Sequence, residues 1–270
     1  MFKYTNILKK NNIAIALRVV FLLTFLCFVL PVFSQNLLIQ NKGQLPSLVK
    51  YQKILSNGFL YYKENGFTTL LRNNVEYDSL WHHFHQHKAL KKTFKVNFHR
   101  FDVNFENALL SDIEHKYADV TIYNFFKGNN PKNWATDVKA YHEIIYHNIY
   151  SNINLQVQNY GNDVKHNYVV KSNANAADIK LRYKFTNKLS LVNNQLVIAT
   201  SVGNVIEKQP IAFQIINKDT IFITCAYQLK RDKSDYIVSF KLGEYNKNVE
   251  LVIDPILVFA TYSGSKGDNF

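Results

Sequence analysis

Apolar and polar residues alternate with a period of two in four short stretches of the chain. These are residues 94–99, 153–158, 236–242 and 249–253. Such alternation is typical of antiparallel strands with one face on a core and the other in water. The chain also has 17 tyrosines and 20 phenylalanines, which suit a pleated, half-buried surface. The pattern predicts a protein built mainly from β-strands.

Turn-forming residues separate several of these stretches. Asn-Gly pairs at 57–58 and 65–66 bracket one predicted strand. Residues 160–163 and 193–194 predict tight hairpins. Short strands joined by turns at this spacing indicate an all-β, antiparallel, β-sandwich-like fold.

Helical periodicity is weak along the chain. Residues 76–92 have a mixed pattern that is assigned to neither helix nor strand, and residues 174–178 predict one short turn. The turn-rich residues 127–131 predict a soft internal division. The all-β region is therefore either one continuous sandwich or two packed lobes.

The N-terminal residues have the order of a secretory signal peptide. Basic residues precede an apolar run at 19–33, and Ser34 precedes the predicted cleavage site. The run is shorter than the ~20 residues that a membrane-spanning helix needs. The pattern predicts a signal peptide helix at 1–34, an all-β domain at 35–259 and no transmembrane span after cleavage. The predicted location is extracellular or the outer cell surface, with the periplasm as the alternative.

Charge and cysteine content exclude two further classes of protein. The 32 Lys and Arg residues outnumber the 20 Asp and Glu residues, but the basic residues are scattered. Nucleic-acid binding needs a focused basic patch and a known motif, so no nucleic-acid partner is predicted. Cys225 is the single cysteine after residue 34 and cannot form an internal disulfide. Its alternation with bulky residues predicts a buried structural thiol.

A histidine-rich segment is the sharpest candidate for metal chemistry. In an extended strand His83, His85 and His87 share one face, and three imidazoles at that spacing suit zinc or copper. The alternative is a solvated loop with adventitious metal binding or none. The helical HExxH spacing of metalloproteases is absent from the sequence.

No catalytic motif is recognisable in the sequence. It has no GxSxG elbow, no P-loop and no GxGxxG fingerprint between a strand and a helix. Asp254 precedes Pro255, which predicts a turn-forming or strand-terminating role. The sequence therefore predicts a non-enzymatic protein without a cofactor, and a hydrolase accessory domain is less favoured. The acidic candidates for a hydrolase, whose spacing shows no facing pair, are Asp102, Glu106, Asp112 and Glu114.

Aromatic residues offer another candidate binding surface. Exposed rings stack on sugars, whereas rings at strand spacing more often fill a core. A sugar-binding platform is the alternative that these residues leave open. The candidates are Tyr61, Tyr62, Trp134, Tyr141, Tyr146 and Tyr150.

Several spaced segments together resemble a known family. They are residues 41–44, 124–128, 134–138, 141–155, 207–214 and 251–255. Their order is similar to the uncharacterised N-terminal domain that precedes SBBP-type β-propeller repeats in exported Bacteroidetes proteins, many of which are gliding-motility-associated. The tail at 260–270 resembles the start of such a repeat, truncated.

The resemblance implies a function without implying an activity. It points to a non-enzymatic, exported or cell-surface structural or adhesion module that leads a β-propeller repeat array. The implied partners are the adjacent repeats or cell-surface components. A carbohydrate- or surface-binding module, with glycans as partners, is the alternative.

Overall fold

The computed structural model describes residues 37–85 and 95–258, which fall in one compact unit. Strands hold 60% of the described residues and helices 8%, so the predicted all-β class is confirmed. The predicted signal peptide at 1–34, residue His87 and the tail at 260–270 lie outside the described residues. In the part of the chain that the structure describes, no helix is long and apolar enough to cross a membrane.

Short antiparallel strands follow one another along almost the whole described chain. One α-helix, α1 (Asn74–His85), and two 3-10 turns, Pro131–Asn133 and Ala176–Asp178, interrupt them. The strands are β1 (Leu38–Gln40), β2 (Tyr51–Leu55), β3 (Gly58–Lys63), β4 (Gly66–Arg72), β5 (Phe98–Phe105), β6 (Ile113–Phe125), β7 (Ala135–Tyr150), β8 (Ile153–Tyr160), β9 (Asp163–Val170), β10 (Leu181–Lys184), β11 (Lys188–Val192), β12 (Gln195–Thr200), β13 (Gly203–Glu207), β14 (Ile211–Ile216), β15 (Asp219–Ile223), β16 (Cys225–Asp232), β17 (Asp235–Leu242), β18 (Leu251–Asp254) and β19 (Ile256–Val258).

The strands form one hydrogen-bonded network. A meander from β1 to β5 continues through β10 and β17 to β16. From β1 the sheet also continues through β7 and β8 to β9, which pairs with β18 and β19. The antiparallel sheet nearly closes on itself. The predicted β-sandwich-like fold, with its alternative of two packed lobes, is not confirmed, because the described strands belong to a single, nearly closed sheet.

The segment at 127–131, where the sequence predicts a soft division, connects two paired strands. Phe125 at the end of β6 pairs with Ala135 at the start of β7. Lys127 donates a hydrogen bond to the backbone carbonyl of Gln44, and the Trp134 indole donates to the carbonyl of Gly128 at 3.0 Å. These hydrogen bonds anchor residues 127–131 as the loop that connects β6 to β7.

Tyrosines fill much of the space that the sheet encloses. Tyr62, Tyr146, Tyr168 and Tyr183 are fully buried in the main core cluster. Each buried ring removes ~150–250 Å² of surface from water, a large contribution for one side chain. Among the proposed sugar-stacking rings, Tyr62, Tyr141, Tyr146 and Tyr150 are core residues. The interpretation of those four as core is confirmed.

Helix α1 begins with a cap that the sequence contains. The Asn73 side chain accepts a hydrogen bond from the backbone N–H of Glu76 at 3.2 Å, which satisfies one of the free donors of the first turn. The Glu76 carboxylate in turn accepts hydrogen bonds from the backbone and side-chain amides of Asn97, at 2.6 and 2.8 Å. These contacts fasten the helix start to the segment that leads into β5.

The extended conformation assumed for the histidine-rich segment is wrong at His83 and His85, because both residues lie in α1. Residues two apart on an α-helix point about 200° apart around the axis. His83 and His85 therefore do not share a face. The three-histidine metal site stays a prediction, but the strand geometry that suggested it is lost at these two positions.

Two glycines allow neighbouring backbones to approach closely in the meander. A Cβ atom on Gly66 would lie 2.1 Å from the carbonyl oxygen of Val103 in β5, and one on Gly58 would lie 2.0 Å from that of Leu70. No real Cβ contact is so short, so in each pair one of the two strands must shift to admit a side chain. This explains why glycine stands at both predicted turns.

We expect Gly66→Ala to lower the free energy of unfolding by more than about 2 kcal/mol, because β4 must move away from β5. Gly161→Ala is the matched control. Its Cβ would meet nothing within 4 Å, although its φ of +61° carries the left-handed penalty of ~1–2 kcal/mol. Urea unfolding of both variants measures the difference. Equal losses would contradict the close approach described for Gly66.

Candidate functional site

An apolar patch covers the solvent side of β14 and its neighbours. Along β14 the side chains of Ala212 and Gln214 point into the molecule and are buried. The alternate residues, Ile211, Phe213 and Ile215, therefore lie on the opposite face of the strand. Ile215 is 62% exposed. This face of β14 exposes aliphatic and aromatic side chains to the solvent.

Strand β15 extends the same patch. Phe222 is 71% exposed and stands directly opposite Phe213 in the register of the hairpin. The two rings meet edge to face, with centroids 6.4 Å apart. On the other side of β14, Val252 of β18 is also opposite Phe213. We call this set the outer apolar face: Ile211, Phe213, Ile215, Phe222 and Val252.

The border of the outer apolar face is polar. Asp254, opposite Ile211 in the register, forms an ion pair with Lys165 at 2.9 Å. Within the described residues β15 pairs with β14 alone, so its second edge is open, and Lys218 and Asp219 stand at its start. Charges and short length are common protections for an open strand edge. Contiguous apolar surface with a polar rim is typical of an interaction site.

Comparison with known families identifies the domain. A sequence model for a domain of unknown function, DUF7948, matches residues 38–256. The chain belongs to the DUF7948 family. Searches of the curated proteins and of the solved structures find no match. The predicted resemblance to an uncharacterised domain is confirmed in this form, and its connection to SBBP repeats stays a prediction.

Three of the four acidic residues considered for hydrolysis lie in separate ion pairs in the DUF7948 domain. Burial acts to raise the pKa of Asp102, but hydrogen bonds from Arg100 and Thr68 hold it below its ordinary value. Hydrogen bonds from Arg182 likewise lower the pKa of Glu106. Carboxylates of this kind are ionised at neutral pH and do not supply a general acid. Asp112 lines a surface cavity, and Glu114 pairs with His147 at 2.7 Å.

The metal and thiol candidates also have defined surroundings. Among residues 37–85 and 95–258, no three histidine, cysteine or acidic side chains lie close enough together to hold a metal ion. Cys225 is buried, and burial raises the pKa of its thiol to about 12. The thiol is therefore protonated and a poor nucleophile at neutral pH. The prediction of a buried structural thiol is confirmed.

One buried carboxyl group, that of Glu207, has no signature in the sequence pattern. Glu207 ends β13 and is 4% exposed, and the Tyr183 hydroxyl donates a hydrogen bond to its Oε1. The Tyr227 hydroxyl lies 3.2 Å from Oε2 of Glu207 and 3.1 Å from the carbonyl oxygen of Lys208. Nothing in the local sequence indicates this arrangement, because the tyrosines come from β10 and β16.

The geometry favours a protonated Glu207. Burial raises its pKa to about 7, although the two tyrosine hydrogen bonds lower it. A phenol has one hydrogen to donate, and Tyr227 faces two acceptors. When Glu207 carries a proton, its own O–H donates to Tyr227, and Tyr227 donates to the backbone of Lys208. Every donor in the set then has an acceptor.

We expect the Glu207 carboxyl group to lower the stability of the fold as pH rises. Between the ordinary value near 4.5 and the folded value near 7 the folded state binds the extra proton, so stability falls across that window. Glu207→Gln keeps the shape and removes the titration. The unfolding free energy of the variant relative to wild type should rise by about 3 kcal/mol from pH 4 to pH 8.

Urea titrations at each pH measure this difference, in which the contributions of other groups cancel. Glu244 is exposed and provides the matched control, since Glu244→Gln makes the same chemical change outside the core and should not reproduce this difference. Parallel profiles for wild type and Glu207→Gln would show that Glu207 is ionised in the folded protein and would contradict the proposed proton arrangement.

Proposed function

We propose that the DUF7948 domain is a non-enzymatic, exported interaction module that docks on an adjacent β-propeller repeat array through its outer apolar face. The observation that carries the proposal is the exposed Phe222, packed edge to face on Phe213 at the centre of an apolar sheet face. The signal-peptide pattern at 1–34 supports export to the extracellular space or the outer cell surface.

The path of the chain supports repeats as the partner. Residues 260–270, which resemble the start of an SBBP-type repeat, follow directly after β19. Asp254 stands opposite Ile211 of the outer apolar face, and Val258 is four residues farther along. Four extended residues span at most roughly 13 Å, so the end of β19 lies within that distance of Asp254 at the border of the face. A repeat array attached there has a high effective concentration at the outer apolar face.

The outer apolar face has the composition of a docking surface. The outer apolar face supplies a pair of aromatic rings, the type of residue that dominates binding energy at interfaces. Burial of one large apolar side chain contributes ~1.5–3 kcal/mol. The two phenylalanines thus supply enough binding energy for loss of one ring to be measurable.

The test measures binding of the purified chain to a separate polypeptide of SBBP-type repeats by calorimetry. Phe222→Lys should weaken the affinity at least about tenfold, because it removes one aromatic anchor and buries a charge. The matched control is Val120→Lys on β6, where the native side chain is 95% exposed. The control should bind like wild type. Absence of binding by wild type, or equal loss in both variants, would refute the proposal.

A further inference from the structure

Two surface cavities lie side by side, outside the outer apolar face. Their volumes are about 280 and 420 Å³. Both are lined by Lys50 and Glu64, whose side chains form an ion pair at 2.8 Å. The ion pair therefore separates two compartments of one groove. The larger compartment is within the usual size range of small-molecule sites, ~300–1,000 Å³.

One wall of the groove is a loop that is fixed by its own side chains. The Asn41 amide donates to the carbonyl oxygens of Val49 at 2.7 Å and Leu45 at 3.1 Å, and its oxygen accepts from the backbone N–H of Leu45. The buried Gln44 donates to the carbonyl of Gln40 at 2.6 Å. These contacts explain the Asn41–Gln44 segment, which the proposed docking function does not use.

The opposite wall is held to β7. The Ser111 hydroxyl donates to the carbonyl oxygen of His147 at 2.6 Å, and the backbone N–H of Leu109 donates to that of Ile149 at 2.9 Å. Hydrogen bonds within the chain thus hold both walls in place. A site whose walls are fixed by such contacts spends little binding energy on ordering itself.

Charges in the groove are largely compensated. Lys50 pairs with Glu64, and Asp102 accepts a hydrogen bond from Arg100 at 2.6 Å while Lys63 acts on it electrostatically. Asp112 adds one carboxylate in the smaller compartment. The groove therefore has neither the cluster of cations that would select an anion nor a set of metal ligands. Its chemistry fits an uncharged polar molecule.

Unused hydrogen-bonding groups face this space. Within the described part of the chain, the side chains of Asn65, Asn104 and Asp112 make no hydrogen bond with other residues. A carboxamide or carboxylate has two polar atoms in one plane and can bind two neighbouring hydroxyl groups at once. Leu48 and the 89% exposed Leu110 add apolar surface beside Asn65 and Asn104.

We propose that this groove binds a neutral oligosaccharide, with one sugar residue in each compartment. A neutral sugar combines vicinal hydroxyls, which match the amides and the carboxylate, with C–H faces that pack on the two leucines. The Lys50–Glu64 pair lies where the two sugar residues join and forms hydrogen bonds with hydroxyl groups of both. This binding site is independent of the proposed docking function.

The test uses the purified chain with neutral tetrasaccharides of glucose, mannose, xylose and galactose in calorimetric titrations, and a tetrasaccharide of galacturonic acid as the anionic arm. At least one neutral probe should bind saturably with one-to-one stoichiometry. Asn104→Ala should weaken that binding about five- to tenfold. Asn248→Ala, at an exposed position that does not line the groove, should not change it.

Three outcomes overturn the proposal: no saturable binding of any neutral probe, equal affinities for Asn104→Ala and wild type, or tighter binding of the anionic probe. The variant Phe222→Lys separates this result from the docking test. It should bind the sugar with wild-type affinity, so failure of the docking proposal leaves the sugar site intact and the reverse also holds.

Discussion

The fold depends on hydrogen bonds that tyrosine hydroxyls make across the core. A polar group in an apolar interior costs free energy unless it has a partner, so each buried tyrosine limits which strands can lie opposite it. Tyr62 of β3 is hydrogen-bonded to the buried His166 of β9 at 3.0 Å. Tyr146 of β7 donates to the backbone of β3 at 2.7 Å, and Tyr183 of β10 donates to Glu207 of β13. These bonds join strands that are distant in sequence.

The surfaces proposed for binding are consequences of this arrangement. Glu207 is the last residue of β13, and the chain runs through Pro210 directly into β14, which carries the outer apolar face. Holding Glu207 in the core therefore fixes the strand that presents Phe213. The groove uses a different set of residues, mainly from the β3–β4 turn, from β5 and from the loops that contain Asn41 and Ser111. One domain thus presents both the apolar face that is proposed for a protein partner and the groove that is proposed for a sugar.

The sequence predicted the parts of the fold that depend on local pattern. The alternation at 153–158 and 236–242 corresponds to β8 and β17, and the glycines at 58 and 66 begin β3 and β4. Helix α1 was missed because its capping residues, Asn73 and Glu76, stand before a stretch with no clear periodicity. Its start depends partly on Asn97, which is 21 residues away.

The candidate sites were beyond the reach of a local pattern. Residues 211–216 read as an almost continuous apolar run, so alternation alone does not show which of them are exposed. The register with β15 and β18 decides this, and register is a property of the folded sheet. The environment of Glu207 likewise depends on tyrosines 24 residues before it and 20 residues after it. Burial and proton sharing at such a site follow from the tertiary fold.

The most direct test of the cross-core bonds is native-state hydrogen exchange on Tyr183→Phe. This change removes one hydroxyl and leaves Glu207 without its closest donor, while the ring stays in the core. We predict that amides of β13 and β14 exchange at least about tenfold faster than in wild type, with a smaller effect in β3 and β4. Unchanged exchange in β13 and β14 would contradict the claim that this hydrogen bond holds the strand that carries the outer apolar face.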